Sequence, residues 1–222
     1  MVNKMNDKKK ALLIGNYKDI KLSPDVPAAP YHPLELVEKK MIEILGSDYD
    51  VMSTDDTKLL VFNSLDRYDI LISYADFWDH KLTQEEVSGI ISFVSSGKGL
   101  LVIHSGISYQ SNYEFAQMVG AKFTGHPDAR MIEFRITSEE HPVMTGVDVF
   151  SLHEEPYQFE FDAFLEKTVL FDYVIDGKNI PAGWAVQFGK GRVVYLMPGH
   201  SVDVFENETY ARIIKNSAAW LL

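Results

Sequence analysis

The sequence predicts an α/β fold: a mainly parallel sheet flanked by helices on both faces, with added antiparallel strands in the second half. Three observations predict it. In the first half, short apolar runs alternate with segments of helical spacing, the pattern of β-α-β units and a parallel sheet. Gly, Pro and capping residues punctuate these segments. In the second half apolar runs follow one another closely, two of them across the turn Gly189-Lys190-Gly191, as in an antiparallel pair.

Lys10–Asn16 (KALLIGN) reads as a buried first strand. A loop follows, holding Pro24, Pro27 and Pro30. Pro33 suits a first helical turn. Leu34, Val37, Met41, Ile44 and Leu45 then keep helical spacing up to a stop at Gly46. Tyr49–Met52 is a short strand and Tyr68–Tyr74 (YDILISY) another. Thr83 and Glu86 form a capping box ahead of the helical positions Val87, Ile90, Ile91 and Val94. Leu100–Ile103 is the most strongly hydrophobic strand. Ser111 and Glu114 predict a second capping box and a helix ending at Gly120. Strands are expected at 131–136, 169–173, 184–188 and 192–197, and a last helix at 208–222.

The 222 residues suit one domain, 1–222, because no linker, repeat or low-complexity stretch divides them. Hydrophobic residues at 46% and charged residues at 24% are globular values, so disorder is expected only in the first nine residues. No apolar run approaches the ~20 residues that span a bilayer, and the polar N-terminus lacks a signal-peptide core. A cytoplasmic protein without a membrane partner is therefore expected. Zero cysteines exclude disulfides, thiolate nucleophiles and cysteine-bound zinc. A net charge of −11, with Lys8, Lys9 and Lys10 the one basic cluster, argues against nucleic acid.

In parallel sheets ligands bind beyond the carboxyl ends of strands. That rule singles out Asn16, Asp76, His104 and His200, each just after an apolar strand. Ile103-His104-Ser105-Gly106 has the form of a strand-to-helix elbow with a histidine raised at its tip. Histidine serves as acid, base or metal ligand near neutral pH. The plainer alternative is a strand-end histidine bonded to backbone. Ser105 lacks the G-x-S-x-G frame of a hydrolase nucleophile. Pro198-Gly199-His200 places a second histidine beside a glycine that lets a ligand approach the backbone, with Asp203 in range to orient it. His153-Glu154-Glu155-Pro156-Tyr157 offers two carboxylates. Adjacent acids repel when buried, so one is expected to face water and the other a partner; the alternative is a solvated acidic turn. His126 and His141 each precede a proline, and His141 reads as a turn marker. His32, at a helix start, faces either pocket or solvent. No H-E-x-x-H spacing occurs, so metal ligands would have to converge from distant loops. No dinucleotide fingerprint or phosphate loop is present.

Taken in order, GKGLLVIHSG, GAKFTGHP, HPVMTGV, HEEPY and GKGRVVYLMPGH resemble the trehalose-utilisation (ThuA-like) family over residues 68–222. The resemblance implies a flavodoxin-like, class I glutamine amidotransferase-like fold and a role in carbohydrate metabolism, on a small sugar or oxidised sugar derivative. His104 stands where the amidotransferase elbow carries its cysteine, so cysteine-dependent glutamine hydrolysis is excluded. Glu155, His104, His126 and His200 match the family pattern. Glu154 replaces its Asp, and His32 carries over with little weight.

These readings give an expected site. His104, Glu155 and His200 form the catalytic set and double as ligands for a divalent metal such as zinc. Asn16, Asp76, Trp78, Ser105, His126 and Tyr157 bind the substrate, since aromatic faces stack on sugars and carboxylates bond hydroxyls. The alternative is a non-catalytic sugar-binding or regulatory module; a third reading is an amidase using Ser105. Phe77, Trp78 or Phe205, if exposed, would support a homo-oligomer.

Overall fold

The computed structural model describes residues 8–16, 32–78 and 81–222. The proline-rich loop falls outside these, as do the first seven of the nine residues expected to be disordered. Lys9 already belongs to the first strand.

Among the described residues nine strands form one sheet: β1 (Lys9–Ile14), β2 (Tyr49–Thr54), β3 (Ile70–Ser73), β4 (Gly99–Ile103), β6 (Arg130–Ile136), β7 (Phe150–Glu154), β9 (Thr168–Ile175), β10 (Lys178–Phe188) and β11 (Gly191–Leu196). Their order is β2-β1-β3-β4-β11-β10-β9-β6-β7. The first five are parallel and the remaining pairings antiparallel. The sheet is therefore evenly mixed and not mainly parallel as expected. Three of the strands extend or add to the antiparallel half beyond what alternation alone revealed. A separate pair, β5 (Ala121–Gly125) with β8 (Gln158–Phe161), was not expected at all. Its strands are short and meet across a long sequence gap, so no local period marks them.

β3 and β4 are buried at every position, as strands covered on both faces must be. Helices α1 (Leu34–Leu45) and α5 (Glu208–Trp220) pack together; α3 (Gln84–Ser95) packs against both α4 (Tyr113–Val119) and the single turn α2 (Phe62–Leu65). Leu34, Val37, Met41 and Leu45 are the buried stripe of α1, on the predicted period. Pro33 stands at its N-cap and Gly46 at its C-cap. The Thr83/Glu86 capping box forms, with the Thr83 N–H donating to Glu86 at 2.7 Å. Thr83→Ala is expected to lower the unfolding free energy by about 1 kcal/mol, read from the urea midpoint at constant slope. The second box does not form. Asn112, not Ser111, is the N-cap of α4 and makes no cap bond. Its amide instead spans the backbone N–H and C=O of Leu82, at 3.0 and 2.9 Å.

β9 and β10 meet at Asp176-Gly177, both at positive φ (49° and 73°), the form of a tight hairpin turn. β10 then carries two register shifts around Gly183, where an added Cβ would stand 2.2 Å from the Phe171 ring. Such irregularities bend a strand. The bend matters because β7 lies four places from β11, roughly 19 Å in a flat sheet. Yet Glu154 at the end of β7 hydrogen-bonds the loop that follows β11, at 2.6 Å. The antiparallel half must curl over the carboxyl ends of the parallel strands, and that curl builds the site. No helix among the described residues is long and apolar enough to cross a membrane.

Candidate functional site

The elbow after β4 forms as the sequence predicts. His104 has φ 49°, a left-handed backbone that histidine adopts at a cost, and His32 has φ 55°. The turn is tight because Gly106 abuts β3: an added Cβ would lie 1.9 Å from the Ser73 carbonyl. Gly199 abuts His104 in the same way, with a Cβ-to-Cβ approach of 2.5 Å.

The loop after β11 is tied down at nearly every backbone group. The Met197 carbonyl accepts from His104 Nδ1 at 2.7 Å. The Pro198 and Gly199 carbonyls accept from the Tyr210 and Tyr74 hydroxyls, each at 2.5 Å. The amides of Gly199 and His200 both donate to Glu154 Oε1, at 2.6 and 2.9 Å. Glu154 Oε2 accepts the Glu155 amide at 3.0 Å. Glu154 is fully buried. Burial pushes its carboxyl up to about 7, against the opposing pull of the three amides. The expected solvated member of the acid pair is therefore absent: Glu154 binds backbone, and Glu155 faces the histidines.

Glu155 Oε2 is the hub. It lies 3.1 Å from His200 Nδ1, 3.5 Å from His104 Nε2 and 3.7 Å from His126 Nε2. Partial burial raises its pKa, but the adjoining imidazoles of His104 and His200 outweigh that and hold it well below the usual carboxylate range. His104 is wholly buried, and burial lowers its imidazole to about 4. It is neutral near pH 7, with its hydrogen on Nδ1 directed at Met197; its Nε2, 3.5 Å from Glu155, makes no hydrogen bond among the described residues. His32, weighed lightly from sequence, is the addition: its ring lies 4.9 Å from that of His104 and 5.4 Å from that of His200. Its Nδ1 stands 3.1 Å from Asp76 Oδ2. The signal in the sequence was the His-Pro dipeptide at a helix start following a strand-end loop.

The other expected residues fall into two groups. Tyr157 stacks on His104 at 4.3 Å and on His126 at 5.4 Å, and continues through Phe123 (4.3 Å) to Trp78, 5.0 Å beyond. These form an aromatic wall beside the cluster. Asn16 does not join it directly; its amide clamps the Asp76 backbone, accepting at 2.8 Å and donating at 3.3 Å. Ser105 is buried, and its hydroxyl has no hydrogen-bond partner among the described residues. Asp203 is exposed, and the acid beside His200 is Glu155. His141 accepts from the Val143 amide and packs on Trp220, a turn marker as read. Phe205 is buried, and Phe77 and Trp78 are half-buried against the core.

A strand-end elbow, a buried carboxylate holding a histidine loop, and a second carboxylate shared by several imidazoles define an α/β protein with a histidine–carboxylate centre at the sheet's carboxyl rim. The chain belongs to the ThuA family, described as trehalose utilisation, whose model matches residues 32–221. It is similar to a ThuA-like protein of Bacteroides uniformis (TM-score 0.74, 18% identity, 96% of this chain and 91% of that one). A ThuA-like protein of Parabacteroides merdae gives a TM-score of 0.75 at 15% identity, over 96% and 90%. A cytoplasmic protein of Salmonella typhimurium gives 0.68 at 15%, over 96% and 99%. At these identities the likeness is one of fold. A search of curated proteins finds no match. The family points to a carbohydrate-related role.

Proposed function

We propose that this chain is a cytoplasmic enzyme that transforms a small sugar or oxidised sugar derivative at the His104, Glu155, His200 centre. The observation that carries the reading is one carboxylate oxygen within 3.1–3.7 Å of three imidazoles, beside an aromatic wall. Tyr157, Phe123 and Trp78 supply faces for the apolar side of a sugar ring. Glu155, held ionised, suits orienting imidazoles and hydroxyls more than accepting a proton. His104, neutral with a free-facing Nε2 lone pair, suits the base. His126, at the exposed edge, completes a donor set for a substrate oxygen.

Hydrolysis between two carboxylates is less well supported. It needs an acid and a second carboxylate flanking the bond, whereas Glu154 is committed to three backbone amides. Proton transfer next to a sugar carbonyl fits a histidine base and neighbouring imidazoles better. The test is proton NMR in D2O with a panel of disaccharides and keto-sugars. Wild type is expected to release product or exchange deuterium at the carbon beside the carbonyl. Glu155→Gln and His104→Gln, with unchanged circular dichroism, are expected to be at least ~100-fold slower. Saturable binding without product or exchange would overturn the enzyme reading in favour of a binding module.

A further inference from the structure

We infer that His32, His104, Glu155 and His200 form a site for one divalent first-row transition ion, with Asp76 and the Met197 carbonyl as its outer shell. One ligand atom from each of the four residues lies within 4.8 Å of all the others. Two of these separations carry the geometry. Glu155 Oε2 is 3.5 Å from His104 Nε2 and 3.1 Å from His200 Nδ1. Ligands at ~2.0–2.1 Å from a shared tetrahedral ion stand about 3.3 Å apart. Two ligands at ~2.1 Å from one ion can stand at most about 4.2 Å apart, so atoms at the 4.8 Å limit close in by roughly half an ångström when an ion binds.

The back of each ring supports the same reading. A ligating histidine almost always gives its second nitrogen to a carbonyl or carboxylate, which fixes the ring and leaves the other lone pair facing the ion. His104 Nδ1 is hydrogen-bonded to the Met197 carbonyl at 2.7 Å, which leaves its Nε2 facing Glu155; His32 Nδ1 lies 3.1 Å from Asp76 Oδ2, an ion-pair contact. His104 Nε2 and both ring nitrogens of His32 are buried and make no hydrogen bond among the described residues. Buried polar atoms without partners are uncommon and call for an ion or water. Three imidazoles and a carboxylate favour zinc, iron, cobalt or manganese over calcium or magnesium, which prefer oxygen. The two positive-φ histidines belong to this set, so local backbone strain is concentrated on two of its ligands.

This inference goes beyond the sugar reading, because it holds whatever the substrate; with an ion bound, His104 Nε2 would be its ligand and not the base. The full chain, stripped with chelator and dialysed, is titrated with Zn2+ by calorimetry and with Co2+ by visible absorption. Wild type is expected to take up one equivalent, with a cobalt spectrum of low-symmetry nitrogen and oxygen ligation. His200→Ala and His32→Ala are expected to bind at least ~100-fold more weakly, and Asp76→Asn ~10–100-fold more weakly. His153→Ala, an exposed histidine beside the cluster in sequence, is expected to match wild type. Circular dichroism accompanies each variant; should His32→Ala fail to fold, the partly exposed His200 decides. No saturable uptake by wild type, or equal uptake by wild type and His200→Ala, overturns the site. Turnover by the metal-free protein would leave the enzyme reading standing without the ion. Stoichiometric uptake without any turnover would do the reverse.

Discussion

Glu154→Ala is expected to lower the unfolding free energy by about 4 kcal/mol or more, and to abolish any activity of the centre. The carboxylate accepts three backbone amides, those of Glu155, Gly199 and His200. Alanine leaves all three without that acceptor in a buried place, and each orphaned group costs ~1–3 kcal/mol. Against a total stability of about 5–15 kcal/mol, that loss approaches the unfolding threshold. Glu154→Gln separates the causes. Its carbonyl oxygen can keep the Gly199 and His200 amides, but its NH2 then faces the Glu155 amide, donor against donor. One lost bond predicts a cost of about 1–3 kcal/mol. Denaturant titrations of the three proteins should fall in the order wild type, Gln, Ala. An Ala variant within 1 kcal/mol of wild type would show that the carboxylate does not organise the loop.

The sequence signals that succeed here are those with a short physical range. Strand-end placement finds His104 and His200 because an apolar run followed by a polar residue and glycine is a local pattern. The Thr83/Glu86 box is local too, and it forms. What fails depends on distant packing. Glu154 looks like half of a solvated acidic pair because nothing nearby in sequence announces the three amides it meets, two of them 45 and 46 residues away. Its burial follows from the curl of the antiparallel half, set by the shifts around Gly183. His32 reaches the centre only because β1 and β11 end at the same rim; its amide is 3.5 Å from the His200 carbonyl. The shift from Ser111 to Asn112 at the α4 cap has the same origin. Asn112 is better used pinning Leu82, and that contact overrides the capping preference of the serine. The even mixture of parallel and antiparallel pairings was underestimated because β7, with one exposed face, alternates too briefly to stand out from a loop.

Gly106→Ala is expected to destabilise the fold by about 3 kcal/mol and to displace His104. The carbonyl of Ser73, the last residue of β3, lies 1.9 Å from where the new methyl would stand. A backbone atom cannot swing aside as a side-chain tip can, so β3 and the elbow must part by more than 1 Å. The Ser73 hydroxyl, which donates to the Gly106 carbonyl at 2.9 Å, would lose its partner in the same movement. Two residues before Gly106, the His104 ring depends on a 2.7 Å bond to Met197 and on its stack against Tyr157. A displacement of that size costs on the order of 100-fold in rate when the moved group handles the substrate. The neighbouring Ser105→Ala provides the contrast. It removes a buried hydroxyl without a hydrogen-bond partner among the described residues, so its unfolding midpoint is expected to stay close to wild type. If alanine at 106 proves as harmless to stability as alanine at 105, the close approach of β3 to the elbow is not what holds His104 in its left-handed turn.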